Sequence, residues 1–121
     1  MDHSSQKQLY DVAIVNGTVI DVVHKTFLRG NIGIDGDKIA VITPEPIRGR
    51  QRIDAAGLMV SPGFIDFHSH VDGKQYAAEC LVRQGGTTTL GGERNLNGKI
   101  IREIAERGFL INHGFFVSQS F

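Results

Sequence analysis

The rhythm of the sequence changes at Pro62, and this change constrains the fold more than any other feature. Before Pro62, short apolar and β-branched runs alternate with Gly, Asp, Asn and Pro, a pattern typical of strands and turns. The runs predicted as strands are residues 11–15, 18–20, 31–34, 38–42, 51–54 and 58–60. Asn16-Gly17 separates the first two runs, and we expect a hairpin turn there because this dipeptide tolerates positive φ angles. Half a dozen short strands predict a small β-sandwich.

After Pro62, apolar strands alternate with helices. The predicted strands are residues 63–68, 87–90 and 109–117, and the predicted helices are residues 76–84 and a segment through residues 100–105. The first helix stops at Gly85-Gly86, while Asn97 and Gly108 are expected to cap the two ends of the second. The order β-α-β-α-β with short connections predicts parallel strands joined by right-handed crossovers.

Three such strands and two helices are less than half of a (β/α)₈ barrel, which typically needs about 250 residues. A parallel sheet this small leaves its edges and faces uncovered. We therefore expect the chain to be a fragment, a truncated product or one chain of a larger assembly.

The charge balance narrows the range of partners. Lys+Arg and Asp+Glu number 13 each, so the net charge is zero, which argues against nucleic acid or an anionic membrane as the main partner. No run approaches the roughly 18 apolar residues of a membrane-spanning helix, and residues 1–8 lack the apolar core of a secretory signal. Cys80 is the single cysteine, which excludes an intramolecular disulfide. A soluble cytoplasmic protein is the simplest interpretation.

The strongest functional signal is the pair His68 and His70 at the end of an apolar strand. Residues i and i+2 of a strand project from one face about 7 Å apart, so Asp66, His68 and His70 are expected to line up. Imidazole nitrogen suits zinc and similar metals, and active sites of (β/α)₈ barrels lie where their strands end. An isolated His-x-His is more often a surface feature, but here it closes the strand that opens the βαβ series. Asp66 would either orient a histidine by hydrogen bonding to it or make a structural hydrogen bond near the floor of the barrel.

The stretch Gly57-Leu-Met-Val-Ser-Pro-Gly-Phe-Ile-Asp-Phe-His-Ser-His70, preceded by the two Gly- and Asp-punctuated strand pairs, resembles the start of the amidohydrolase superfamily. The resemblance implies a small β-sandwich (residues 10–61, after a polar tail 1–9) followed by the beginning of a metal-dependent (β/α)₈ barrel (residues 62–121). It also implies a site with one or two divalent ions, zinc or another metal, that would activate water. His68 and His70 would bind one of these ions.

Within the superfamily, the segments 62–72, 84–89 and 115–120 most resemble N-acyl-D-amino-acid deacylases. That group has a metal-bridging cysteine just after the second barrel strand, where this chain has Gly91-Gly-Glu-Arg-Asn95. Glu93 is the alternative ligand there, although a solvent-facing glutamate is the simpler interpretation. Cys80 lies within a predicted helix and cannot substitute, and neither Lys74 nor Lys99 lies at a strand end, as a carboxylated lysine bridge would need.

The other polar residues have weaker claims. His113 lies near the beginning of the third strand, at the barrel end away from the expected site. Ser118 and Ser120 lie nearer the useful end, though serines there more often bond to the backbone. The rest are interpreted as solvated loop or tail residues: Asp72, Lys74, His3 and His24.

Three functions follow as hypotheses. The first is hydrolysis of a C–N bond other than a peptide bond, in small N-acyl-D-amino acids. The resemblance implies that further ligands and the general base lie beyond residue 121, so the isolated chain is expected to be inactive. The second is a cyclic amidase of the hydantoinase or dihydroorotase kind, although the arginine that dihydroorotases carry after His-x-His is absent from Val71-Asp72-Gly73-Lys74. The third is a non-catalytic remnant or scaffold. The remainder of the barrel would come from the same gene or a second chain, and homo-oligomerisation stays open.

Overall fold

The structure is a computed structural model of the chain, and it describes residues 9–71, 73–91 and 98–116. Contacts divide the chain into two compact units between Pro62 and Gly63. The elements in chain order are β1 (Tyr10–Asp21), β2 (Thr26–Asp35), β3 (Lys38–Thr43), β4 (Gly49–Asp54), β5 (Met59–Val60), β6 (Phe64–Ser69), α1 (Gln75–Arg83), β7 (Gly86–Gly91), α2 (Gly98–Arg107) and β8 (Asn112–Phe115).

The first unit is built on a single sheet with the order β3-β2-β1-β4, and β5 also pairs with β1. The β1–β2 and β2–β3 pairs are antiparallel, whereas β4 and β5 run parallel to β1. The runs predicted as strands before Pro62 lie within these strands, except that Leu58 precedes β5, and β2 begins earlier than expected, at Thr26. The described residues place all five strands in one layer, so the second layer of the predicted sandwich is not among them.

The hairpin predicted at Asn16-Gly17 is wrong, because β1 continues through both residues. Asn16 does adopt a positive φ of 64°, but the conformation forms a β-bulge: Ile14 pairs with Ile32 and Gly17 with Gly30, which leaves one extra residue in β1. The Asn16 backbone N–H donates to Asn31 Oδ1 at 3.0 Å and its side-chain amide donates to Asp54 Oδ1 at 2.9 Å. The bulge is therefore held from both neighbouring strands.

This bulge makes stability depend on pH through Asp54. The Asn16 amide, the Ala56 backbone N–H and the Arg52 guanidinium all favour the ionised carboxylate, in that order, and lower the pKa of Asp54 below its ordinary 3.8. A lowered folded-state pKa contributes stability that is present above the unfolded pKa and is lost as pH falls through the folded one. We expect the urea concentration at the unfolding midpoint to decrease as the pH is lowered below about 4. In Asp54→Asn this decrease should be smaller. Asp37→Asn, a control in the β2–β3 turn, should leave the decline in place, and an unchanged pH profile in Asp54→Asn would contradict the assignment.

The second unit has three parallel strands in the order β6-β7-β8. Helix α1 connects β6 to β7 and α2 connects β7 to β8, which confirms the predicted β-α-β-α-β sequence. Gly108 follows α2 with a φ of 76°, as expected of a helix stop, while Asn97 lies outside the described residues. Strand β8 is shorter than predicted because residues 109–111 precede it, with Ile111 buried beside Val71 and Ala78 in the core instead. Neither helix in the described part of the chain has the length and hydropathy needed to cross a bilayer.

Candidate metal site

His68 and His70 lie close together where β6 ends. The strand's last residue is Ser69, so His68 is still in the strand and His70 follows it directly. Their ring centroids are 5.4 Å apart and the ring planes make an angle of 79°. Both residues are exposed. Two imidazoles therefore stand side by side at the carboxyl edge of the parallel sheet, where strand ends commonly carry functional groups.

The route by which they meet differs from the simple alternation expected from sequence. In the ladder between β6 and β7, Asp66 pairs with Thr89 and Ser69 with Gly91. Three steps along β6 thus match two along β7, so one extra residue of β6 lies between Asp66 and Ser69, and it offsets the opposite shift between Phe64 and Ile65. An extra residue interrupts the i, i+2 alternation and bends the strand. The regular alternation from which Asp66, His68 and His70 were expected to line up is therefore interrupted in this strand.

Asp66 makes the hydrogen bond that its position allowed. Its half-buried carboxylate accepts the backbone N–H of His68 through Oδ1 at 3.0 Å. The hydrogen bond that the structure describes for Asp66 is therefore a structural one. It is made to the backbone of His68, a candidate metal ligand.

Two residues of β7 that the sequence did not single out also contact this strand end. Thr89 has 0% of its surface exposed, and its hydroxyl is hydrogen-bonded to that of Ser69. Gly91 packs against the Ser69 backbone so closely that a Cβ there would overlap the Ser69 carbonyl oxygen. The sequence signal for these residues was a Thr-rich strand that ends in Gly. Only the register of β7 with β6 shows that Thr89 and Gly91 lie beside this strand end.

The other predicted residues lie elsewhere or outside the described residues. His113 is half-buried in β8, with its ring centroid 5.2 Å from that of Phe109 and 4.2 Å from that of Phe115, consistent with a packing role. Lys74 precedes α1, Lys99 lies within α2, and Cys80 is exposed within α1. His24 bonds to Asp21 in the β1–β2 turn. Outside the described residues lie Glu93, Asp72, Ser118, Ser120 and His3.

The donor set of the pair suits a metal but is incomplete. Neutral imidazole is a good ligand for zinc and other borderline divalent ions. A tetrahedral zinc site uses at least three protein ligands, and within residues 9–71, 73–91 and 98–116 no three His, Cys, Asp or Glu side chains are grouped to hold an ion. The described part of the chain therefore supplies two donors of such a site.

Comparison with known proteins identifies the family. The profile of the Amidohydrolase family matches residues 51–114, a segment that contains β6, β7 and the histidine pair. The chain is 35% identical over 92 residues to D-aminoacylase of Alcaligenes xylosoxydans xylosoxydans, covering 73% of this chain and 19% of that one. It is 42% identical over 91 residues to adenine deaminase 2 of Agrobacterium fabrum (69% and 15%). It is 33% identical over 113 residues to dihydroorotase of Lactobacillus johnsonii (80% and 26%).

Solved structures agree with the sequence relatives. The crystal structure of D-aminoacylase superposes with a TM-score of 0.73 at 25% identity, covering 90% of this chain and 30% of that chain. A further D-aminoacylase structure, concerned with the functional role of its binuclear metal center, gives a TM-score of 0.72. The chain spans about a fifth of the length of the D-aminoacylase relative and less of the adenine deaminase. On the match over more than half of its residues, the chain belongs to the amidohydrolase family.

Proposed function

We propose that this protein is a metal-dependent hydrolase of C–N bonds other than peptide bonds, and that His68 and His70 are two of its metal ligands. The observation that carries the proposal is the exposed imidazole pair, with ring centroids 5.4 Å apart at the carboxyl end of β6. It lies inside the segment that matches the Amidohydrolase family. The metal centre of D-aminoacylase supports a divalent cation as the cofactor.

The chemistry follows from the donors. His68 and His70 would hold a divalent ion, zinc in the first instance, through neutral ring nitrogens. Such an ion, when bound, supplies a Lewis acid and lowers the pKa of water toward neutrality. The two imidazoles lie side by side at an exposed strand end.

Because two donors do not complete a site, we propose that the others come from residues outside the described ranges. Glu93 is the candidate within this chain, since it follows β7 directly after Gly91-Gly92. The rest, including the general base, would come from further strands of a (β/α)₈ barrel of which residues 62–121 form the start. On this proposal residues 10–61 contribute one layer of an accompanying β-sandwich, and the protein acts on a small molecule in the cytoplasm.

For the substrate we propose the amide bond of N-acyl-D-amino acids. The D-aminoacylase relative and the D-aminoacylase structures support this choice. A cyclic amide is the second candidate, because the dihydroorotase match extends over 113 residues, the longest of the three relatives described. Both reactions attack an amide carbonyl carbon with activated water, so a shared ligand pair would serve either.

Zinc titration of the intact protein by calorimetry tests the proposal. We expect His68→Ala and His70→Ala each to weaken zinc binding by more than about 100-fold, beyond the usual effect of losing an outer-shell partner. His24→Ala is the matched control, because it removes an exposed imidazole that bonds to Asp21 in the first unit. Zinc binding by both site variants at wild-type affinity would overturn the proposal and favour the scaffold hypothesis.

Activity assays of the zinc-loaded intact protein, in which the site is complete, then distinguish the two candidate substrates. Release of free D-amino acid from N-acetyl-D-amino acids, lost in His68→Ala, supports the deacylase. Ring opening of dihydroorotate or a hydantoin without deacylation would instead assign the cyclic amidase. The 121-residue chain alone is expected to be inactive on both.

A further inference from the structure

The extra residue in β6 lies at the metal candidate itself. It falls between Asp66 and Ser69, the interval that contains His68 and immediately precedes His70. Bulges locally disrupt the ladder, bend the strand and re-aim side chains, and they are over-represented next to active sites. In a regular strand the Cα atoms of residues i and i+2 are about 7 Å apart with parallel side chains. The His68 and His70 ring centroids lie 5.4 Å apart across this interval.

The bulge is held at both of its ends by side chains. On one side the Asp66 carboxylate accepts the His68 backbone N–H at 3.0 Å. On the other side the hydroxyl of Ser69 is hydrogen-bonded to that of Thr89, which has no exposed surface. A hydrogen bond of this kind adds modestly to stability, and a buried hydroxyl that loses its partner is costly. These contacts therefore favour the bulged register over a regular one.

We propose that Asp66 and Thr89 are positioning residues that hold the β6 bulge and thereby set His68 beside His70 before a metal binds. The proposal rests on the proposed function, because it takes the two imidazoles as metal ligands. Asp66 acts through the His68 backbone N–H, and Thr89 acts through the Ser69 hydroxyl. Metal affinity depends on how far the ligands are preorganised by their supporting residues.

Two pairs of variants separate positioning from general damage. Asp66→Ala removes the acceptor and is expected to weaken zinc binding by about 10- to 100-fold, whereas Asp66→Asn keeps a carbonyl oxygen and should retain most of the affinity. Thr89→Val removes the buried hydroxyl and should weaken binding by about tenfold, whereas Thr89→Ser keeps the hydroxyl and should restore it. Thr87→Val, at an exposed threonine of the same strand, is the matched control and should have no effect.

A readout without metal tests the same geometry. Amide hydrogen exchange of the zinc-free intact protein should show the His68 amide exchanging at least about tenfold faster in Asp66→Ala than in the wild type, because an accepted N–H is protected. The exchange of amides in the β7–β8 ladder serves as the internal reference that the unit is folded. In the cobalt-substituted protein, Asp66→Ala and Thr89→Val should shift the visible absorption bands, which report ligand geometry, while Asp66→Asn should leave them close to wild type.

The outcomes distinguish this proposal from the function on which it rests. The positioning role would be overturned if Asp66→Ala and Thr89→Val kept wild-type zinc affinity and wild-type exchange of the His68 amide. If His68→Ala still lost zinc in that case, the proposed function would remain intact. Wild-type zinc affinity in His68→Ala would overturn the proposed function and, with it, the role toward a metal. Weakened zinc binding in both variants, with rescue by Asp66→Asn and Thr89→Ser, supports the proposal.

Discussion

Replacement of Gly91 by alanine is expected to lower the free energy of unfolding of the second unit by about 3 kcal/mol, the upper end of the usual cost of overpacking. A Cβ at this position would overlap the Ser69 carbonyl oxygen and lie 3.2 Å from the carbonyl carbon. Both are backbone atoms, so no side chain can rotate to make room. Gly91 is also paired with Ser69 in the ladder, and relief of the overlap therefore requires β6 and β7 to separate at the end that carries the histidines.

Hydrogen exchange of the intact protein measures this effect within the second unit. The amides of β6 and β7 in Gly91→Ala should lose protection by roughly two powers of ten, the equivalent of about 3 kcal/mol. Gly98→Ala is the matched control, because a Cβ at this first position of α2 would meet nothing within 4 Å. Alanine favours helix over glycine, so that variant should be as stable as wild type or more so. Exchange in Gly91→Ala within a factor of two of the wild type would contradict the close approach of the two strands.

The same substitution connects stability to the site. Because Ser69 lies between His68 and His70, a displaced Ser69 carbonyl moves the backbone that carries both rings. We therefore expect zinc affinity to fall together with protection in Gly91→Ala.

Local patterns were sufficient to predict that strands and helices alternate in the second unit, although β8 is shorter than expected. Helix α1 and the strands β6 and β7 follow from apolar spacing and glycine stops, which depend on neighbouring residues only. The bulges were not predictable in the same way. The positive φ of Asn16 suits a hairpin turn and a bulge equally, and the pairing of β1 with residues 26–35 decides between them. That pairing is a long-range contact, which the dipeptide does not encode.

The candidate site shows the same division. The histidines were recognised by residue type and motif, and their proximity is present in the structure. Their relative orientation depends on how β6 is paired with β7, so the contributions of Thr89 and Gly91 could only be identified once the register was known. Glu93 lies outside the described residues, and its role stays a prediction.

The first unit depends in the same way on a residue that the sequence did not single out. Asn31 is 8% exposed. Its Oδ1 accepts the Asn16 backbone N–H at 3.0 Å, and its Nδ2 donates to the carbonyl oxygens of Glu45 at 2.9 Å and Pro44 at 3.5 Å. One side chain thus joins the β1 bulge to the segment that follows β3.

Asn31→Ala is expected to lower the free energy of unfolding of the first unit by about 1–2 kcal/mol, because the part-buried Asn16 N–H and at least one carbonyl oxygen would lose their hydrogen-bond partner. Guanidinium unfolding followed by tyrosine fluorescence measures this, since Tyr10 is only 3% exposed and belongs to the same unit. Asn31→Asp keeps the acceptor for Asn16 but removes the amide donors, so it should fall between alanine and the wild type. Gln51→Ala, at an exposed position of β4, is the control and should change stability by less than about 0.5 kcal/mol. A loss in Asn31→Ala no larger than that of Gln51→Ala would show that the bulge is stable without its amide bridge, and that the pairing of β1 with β2 alone determines it.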